Sequence, residues 1–549
     1  MGHGYQALKR VTDNSFLIWG KLTKFTENTG MKLVYIPAGL LMALFFSACE
    51  EQPAGKPRPN ILFISIDDLR PDLGVYGNDE IRTPNIDKFA SEGVTFLRTY
   101  SQAAVCAPSR ASLMTGLRPD STRVWHLGDK FRQINPATVT MPQYFHRYGY
   151  YTVSMGKIFH NYMPDSVSWD EPDLRPAKYS KPEMWYRDGE TFYISDSISK
   201  LQAIRREKIL AKRPHAYADG WNTGPAWEMA DVHDTAYYDG AQTELAIKTL
   251  QRLRDKQQPF YLAVGYFRPH LPFTAPKKYW DMYNRDSIAL APNPYVPANT
   301  PVFTMNSMYE LRGYDGFKHI QHPTTGYHIP DDTARILKQG YYASVSYVDA
   351  QVGRLLASLE ELGLAGNTLV VIWGDHGWKL GEHNSWGKMT NYDIDTHVPL
   401  LIRAPGVGRQ GVTTTRLTEL VDIFPTLCDL AGIEVAGYLQ GTSLKPLLED
   451  PDREWKPAVF SQFHRRPKVT PDGGRYMGYS MTTARYHFVE WHTWDNVAGR
   501  AGEVVACELY DLQADREENT NIYAAADPGL IARLKDQLHA GWRQARPER

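Results

Sequence analysis

A chain of 549 residues with 42% hydrophobic and 22% charged side chains can build a large core, which excludes collagen-like, coiled-coil and disordered classes. Its 61 basic and 62 acidic residues leave a formal net charge of −1, which excludes a protein whose main task is coating nucleic acid. Four cysteines, Cys49, Cys106, Cys428 and Cys507, lie far apart, so there is neither a disulfide scaffold nor a CxxC zinc pattern.

The first distinctive segment begins at Met31. Lys32 precedes a 16-residue apolar run that ends in Ser47, Ala48 and Cys49. A membrane span needs about 20 such residues, whereas a secretory signal fits this length and its small terminal residues. Residues 31–48 therefore read as a bacterial lipoprotein-type signal, with Cys49 as the lipidated residue and 49–57 as a polar tether. Residues 1–30 read as an upstream misread start. The expectation is an exported periplasmic or cell-surface lipoprotein, bound to the membrane only through a lipid anchor at Cys49. A signal anchor with an ordinary buried Cys49 is the alternative.

The folded part opens with Asn60-Ile-Leu-Phe-Ile-Ser-Ile66, a continuous apolar run that ends in Asp67 and Asp68. Such runs read as buried parallel strands. Similar runs occupy 151–155, 260–266, 368–373 and 398–402, and helical patterns occupy 84–92, 235–255, 333–362 and 419–431. Strands alternating with helices predict an α/β fold with a large, mostly parallel sheet flanked by helices. Residues 161–232 break the alternation as an insertion, and 284–330 read as loop. After residue 436 shorter segments predict a smaller C-terminal α+β subdomain with an antiparallel sheet, closed by a helix over about 529–542. In such folds ligands bind beyond the carboxyl ends of the strands.

Chemistry-bearing residues gather at those ends. Asp67 and Asp68 follow the first strand, Cys106-Ala-Pro-Ser-Arg110 opens a helix, and Asp375 and His376 follow the strand over 368–373. Lys157 and His160 follow the strand over 151–155, and His270 and Lys388 lie in later loops. Several anionic oxygens at one point require a hard cation, for which Ca²⁺ or Mg²⁺ is suited. Lys157, Lys388 and Arg110 add fixed positive charge, so the set suits a tetrahedral anion such as sulfate or phosphate. His160 and His270 could move protons. Cys106 at a helix N-terminus beside Arg110 is expected to be an activated thiolate. Taken singly, each of these is more ordinarily a cap, a turn or a packed side chain.

Cys106-Ala-Pro-Ser-Arg110-Ala-Ser-Leu-Met-Thr-Gly116 resembles the signature of the type I sulfatases. The resemblance continues through Pro59–Asp68, Thr83–Asp87, Gly156–His160, Gly374–Gly377 and Glu508–Leu512. Within the family, Ile66–Pro71, Arg268–Phe273, Leu380–His383 and Trp386–Lys388 are most similar to the iduronate-2-sulfatase branch. The resemblance implies an alkaline-phosphatase-like fold, a catalytic domain over 58–435 and a C-terminal subdomain over 436–549. It implies that a formylglycine-generating enzyme converts Cys106 to formylglycine. It also implies one Ca²⁺ held by Asp67, Asp68, Cys106, Asp375 and His376, the last being Asn in many members.

The implied mechanism makes the modified Cys106 the nucleophile, with Asp375 as its base and Arg110 holding it. Lys157 and Lys388 face the sulfuryl oxygens, His270 protonates the leaving sugar oxygen and His160 serves the second half-reaction. The implied activity is sulfuric ester hydrolysis, as exo-acting 2-O-desulfation of a uronic acid in a sulfated polysaccharide. Specificity is expected from the 161–232 insertion and the basic segment His464–Lys468. A phosphodiesterase or phosphonate hydrolase of the same superfamily, and a non-catalytic lipoprotein binding sulfated glycan, are the alternatives. Cys428 reads as core and Cys507 as structural, and spacing leaves a disulfide between them open.

Overall fold

Alternation along the first strand explains the layers. In β1 (Asn60–Ile66), Ile61 and Phe63 enter one apolar cluster while Leu62, Ile64 and Ile66 enter another on the opposite face. Both faces are covered, so the strand reads as an unbroken apolar run. Each such side chain contributes about 1.5–3 kcal/mol of burial free energy. The computed structural model describes residues 58–160, 163–179, 193–212, 224–466, 470 and 472–547. The signal, Cys49 and tether expected within 1–57 lie outside them, as do Lys468 and parts of the 161–232 insertion.

The large sheet contains β1, β2 (Val94–Tyr100), β3 (Tyr151–Gly156), β4 (Phe260–Tyr266), β5 (Thr368–Gly374), β6 (His397–Arg403), β7 (Val412–Thr414) and β8 (Thr418–Glu419). Its order is β7-β2-β6-β5-β1-β4-β3, with β8 also paired to β2. β1 runs parallel to β4 and β5, and β3 parallel to β4. Helices α1 (Pro84–Ala90), α5 (Tyr238–Arg254) and α6 (Asp331–Glu361) pack on one face. Helices α2 (Cys106–Thr115), α3 (Met141–Arg147) and α7 (Ile423–Leu430) pack on the other. The insertion also forms α4 (Asp196–Lys212) and a short strand, Trp227–Ala230, paired with Phe273–Pro276.

One strand corrects the sequence reading. β6 runs antiparallel to both β2 and β5, although its apolar run resembles the parallel ones. Burial on both faces sets that pattern, and strand direction leaves no mark on it. The helix expected from 419 begins only at Ile423, because Thr418–Glu419 pair with β2 and Leu420–Asp422 form a 3-10 turn.

Beyond residue 436 an antiparallel sheet follows, ordered β9 (Ala458–Arg465), β10 (Tyr476–Thr483), β11 (Tyr486–Asp495) and β12 (Arg500–Asp511). It is backed by α8 (Pro528–Gln544) through Leu534 and Leu538. The Gln462 amide of β9 donates to the Gln102 carbonyl at 2.9 Å, which ties this sheet to the segment just before α2. Cys428 is buried and Cys507 half-buried, and both are free thiols, so the disulfide that spacing left open is not formed. Among the described residues no helix is long and apolar enough to cross a membrane.

Candidate active site

Strand register assembles the site. Ile66 of β1 is level with Gly374 of β5 and with Tyr266 of β4, and Gly156 of β3 is level with Gly265. The next residues, Asp67, Asp375 and Lys157, therefore leave the sheet along one rim. Gly265 permits a close approach, since a Cβ there would lie 2.3 Å from the Lys157 backbone carbonyl. Asp68 adopts a left-handed φ of 56°, a conformation that Asp tolerates better than most residues. Its amide donates to Asp375 Oδ1 at 3.1 Å.

The Cys106–Arg110 segment forms the first turn of α2. Pro108 is accommodated there because first-turn amides have no intrahelical partner. Arg110 is fully buried; it donates to Asp67 Oδ1 at 3.0 Å, Asp375 Oδ2 at 2.9 Å and Ser65 Oγ at 2.8 Å. The Ser109 hydroxyl donates to the Asp375 carbonyl. Thus Ser109 and Arg110 both fasten the end of β5. Lys157 Nζ bonds Asp67 Oδ2, and Lys388 Nζ lies 2.5 Å from Asp68 Oδ1.

Cys106 is 2% exposed, with Sγ 3.2 Å from His376 Nε2. Burial pushes its thiol well above the ordinary value, against the pull of Lys157 and Lys388. The expected activated thiolate is therefore not found: desolvation and the neighbouring carboxylates outweigh those cations. Burial also raises Asp375, but Arg110 and His376 outweigh it and hold the carboxyl below its ordinary range. That makes Asp375 a weak base and a good anionic ligand. Burial pushes Asp68 up to about 7, against His270 and Lys388.

The donor set fits a divalent cation. Ligand atoms of Asp67, Cys106, Asp375 and His376 lie within 4.8 Å of one another, as do those of Asp67, Asp68, Cys106 and His270. Asp68 Oδ2 is buried with no hydrogen-bond partner, which is the condition of an oxygen awaiting an ion. His376 Nδ1 meets the Gly377 carbonyl at 3.0 Å. That carbonyl can only accept, so Nδ1 carries the hydrogen and the Nε2 lone pair faces the cluster. Burial pushes the ring down to about 4, so it is neutral and able to ligate at pH 7.

His270 sits in the loop after β4, flanked by cis bonds at Arg268–Pro269 and Leu271–Pro272. Asp239 near the start of α5 accepts from the Phe267 and Arg268 amides at 3.0 and 2.9 Å, which anchors that loop. His160 follows the end of β3. It lines a cavity of about 350 Å³ with Phe131, Phe159 and Met163, beside Ala107 and Ala111 of α2. Arg465, expected in a basic loop, is instead the buried last residue of β9, where it bonds the Thr304 carbonyl. Sequence reasoning missed Glu310, which touches both His270 and Lys388. It lies in an irregular stretch with no periodicity to mark it.

Comparison with known proteins gives this geometry a family. Residues 59–433 match the Sulfatase family model, and 381–544 match the model of the C-terminal region of N-sulphoglucosamine sulphohydrolase. The chain is 34% identical to iduronate 2-sulfatase of Mus musculus, over 89% of this chain and 96% of that one. A solved structure holding its substrate D-glucosamine-2-N,6-O-disulfate superposes with a TM-score of 0.67 at 22% identity, over 89% of this chain and 97% of that one. Phosphonate monoester hydrolase of Agrobacterium radiobacter superposes with a TM-score of 0.65 at 24% identity, over 89% and 96%. These two likenesses speak for the fold, which is alkaline-phosphatase-like. The rim of carboxylates and cations around Cys106 thus lies within a match that spans most of the molecule, and the chain belongs to the sulfatase family as a sulfuric ester hydrolase.

Proposed function

We propose that this protein removes a 2-O-sulfate from a uronic acid at the non-reducing end of a sulfated glycan. The observation that carries the reading is the convergence of three aspartates, a neutral histidine, two lysines and a buried arginine on Cys106. The similarity to iduronate 2-sulfatase supports the sugar and the position. Asp67, Asp68, Asp375 and His376 would hold one Ca²⁺, which when bound supplies positive charge to the sulfate oxygens. Cys106, once converted to formylglycine, supplies the hydroxyl nucleophile of the family.

The chain's own residues do the rest. Arg110 locks the carboxylates of Asp67 and Asp375 in place. Lys157 and Lys388 direct cationic nitrogens at the oxygens around sulfur, where charge builds in the transition state. His270 gives a proton to the departing sugar oxygen, and His160 takes one in the second half-reaction. The export signal, the lipid anchor at Cys49 and a division at about residue 435 complete the reading.

The test is a substrate panel on the purified, matured protein: 2-O-sulfated uronate oligosaccharides, glucosamine sulfates, algal sulfated oligosaccharides, and phosphate and phosphonate esters. Sulfate release is expected from the 2-O-sulfated uronate ends. Faster cleavage of phosphonate esters would replace this reading with that of the phosphonate hydrolases sharing the fold. Cys106→Ala is expected to abolish turnover while melting at the parent temperature; turnover at the parent rate would remove Cys106 as the nucleophile.

A further inference from the structure

A second cleft opens where the end of α8 meets the antiparallel sheet. It encloses about 330 Å³, and its walls include Arg118, Asp120, Tyr479, Glu490, Trp542 and Arg543. That volume lies at the lower end for small-molecule sites, which run from about 300 to 1,000 Å³. One wall depends on a bend in α8. Gly541 interrupts the helix with φ 72° and ψ −177°, a conformation open essentially to glycine alone. A Cβ there would meet nothing within 4 Å, so the glycine serves the bend and not the packing. Beyond it, the centre of the Trp542 ring lies 5.2 Å from the guanidinium carbon of Arg118 and 4.4 Å from that of Arg543. The indole thus holds two cations at one wall.

The polar groups of the cleft have capacity left over. Arg118 is 7% exposed; it donates to the Phe460 carbonyl at 3.2 Å and to Glu419 Oε2 at 2.8 Å, but its Nε is buried with no hydrogen-bond partner. Such an orphaned N–H is rare in a folded protein and calls for an acceptor. Arg543 is exposed and adds a second cationic donor. On the acceptor side, Asp120 takes three hydrogens, from Trp125 Nε1 at 2.9 Å, Gln462 Nε2 at 2.7 Å and the Tyr479 hydroxyl at 2.9 Å. A carboxylate has about four acceptor positions, so one remains. Glu490 Oε2 meets His539 Nε2 at 2.7 Å, whereas its Oε1 lies 3.8 Å from Lys535 Nζ, beyond hydrogen-bond distance. A free anion would be repelled by the two carboxylates, and a neutral sugar would make no use of the two guanidinium charges. A sulfated sugar answers both.

We propose that this cleft is a second, non-catalytic site that binds one sulfated sugar residue. The sugar hydroxyls donate to Asp120 and Glu490, and the sulfate oxygens accept from Arg118 Nε and from Arg543, a charge-assisted pairing that suits the guanidinium fork. Neither Cys106 nor any of the carboxylates that would hold the cation lines the cleft. A sulfate ester held there is therefore bound and not cleaved. The inference goes beyond the activity proposed above and does not depend on which ester the active site hydrolyses.

The experiment is titration calorimetry on the full chain carrying Cys106→Ala, which prevents turnover, with D-glucose 6-sulfate, D-glucose and inorganic sulfate as separate probes. Each titration is repeated with Arg543→Gln added, and again with Gly541→Ala added. Arg543 is exposed, so its replacement leaves the fold intact, as matching melting temperatures will show. Glucose 6-sulfate is expected to bind, and Arg543→Gln to weaken that binding by about tenfold or more, the worth of one hydrogen bond to a charged group. Gly541→Ala should weaken it similarly, because an alanine cannot hold the bend that brings Trp542 and Arg543 to Arg118. Any binding in the pocket of Cys106 survives both changes and is thereby told apart. Glucose and inorganic sulfate should each occupy the Arg543-dependent site at least about tenfold more weakly than glucose 6-sulfate. The proposal is overturned if no binding responds to Arg543→Gln, if inorganic sulfate binds there as tightly as the sugar sulfate, which would make the cleft a plain anion site, or if glucose does. Failure of the 2-O-desulfation reading would appear in the substrate panel and leave these titrations unchanged.

Discussion

Arg110 has no exposed surface, and each of its nitrogens meets an oxygen of Asp67, Asp375, Ser65 or the Lys157 backbone. Only a planar fork can reach Asp67 and Asp375 together. Arg110→Lys should therefore free one carboxylate and destabilise the fold by about 3–5 kcal/mol, the cost of leaving a buried charge unpaired. The accompanying shift of the carboxylates should lower kcat by about 100-fold. Urea unfolding and turnover on one aryl sulfate check both; a variant as stable as the parent would show that the bridge is dispensable. At this scale the sequence was readable where residues cluster. Cys106, Arg110 and the paired carboxylates stand in short, distinctive segments at strand ends. Glu310 lies about 240 residues from Asp68 in the chain and inside an irregular stretch, so only tertiary folding relates the two.

Elements place these residues by register. Lys157 arrives where it does because β3 lies level with β4 and because Gly265 leaves room for its backbone. Gly265→Ala would put a Cβ 2.3 Å from that backbone, so one strand must shift. The expected result is about 1–3 kcal/mol of destabilisation, together with a larger fall in kcat than in thermal stability. Melting temperature and kcat measured on one preparation test this, and an alanine variant with parent activity would contradict it. The strands themselves were legible, since burial on both faces writes an unbroken apolar run. The direction of β6 was not, because hydrogen-bond polarity leaves no trace in side-chain type. The extent of the 419–431 helix was also misjudged. Thr418–Glu419 form a short strand continuing beside β2, and tertiary pairing there overrides local helical periodicity.

At the level of the whole molecule, the two sheets are joined by a buried charge cluster. Glu419 Oε2 accepts from Arg118 and from Lys456, each at 2.8 Å, and Glu419 Oε1 takes the Phe460 amide of β9 at 3.0 Å. Burial raises the Glu419 carboxyl, but Arg118 and Lys456 outweigh it and hold it at about 2. An unfolded Glu titrates near 4.3, roughly two units higher. The unfolded chain therefore takes up the proton first, and this group's stabilisation, complete above about pH 4.5, is lost as the pH falls toward about 2. Glu419→Gln should begin less stable at neutral pH and lose less across that window, as read from urea midpoints at stepped pH. A variant whose midpoints ran parallel to the parent's would exclude the cluster as the source. The antiparallel second sheet was legible in outline from its shorter segments, but this ionic seam was not, since its members are far apart along the chain.

The near-total enclosure of Cys106 has a bearing on how the protein comes to be active. A sulfate group is small enough to enter a closed rim, but the active centre of a second protein is not. Any enzyme that alters this sulfur must grip the flanking chain while it is still an extended peptide. If Cys106 is converted as proposed, that chemistry belongs to biosynthesis, and a molecule that folded without it would have sealed off its own repair.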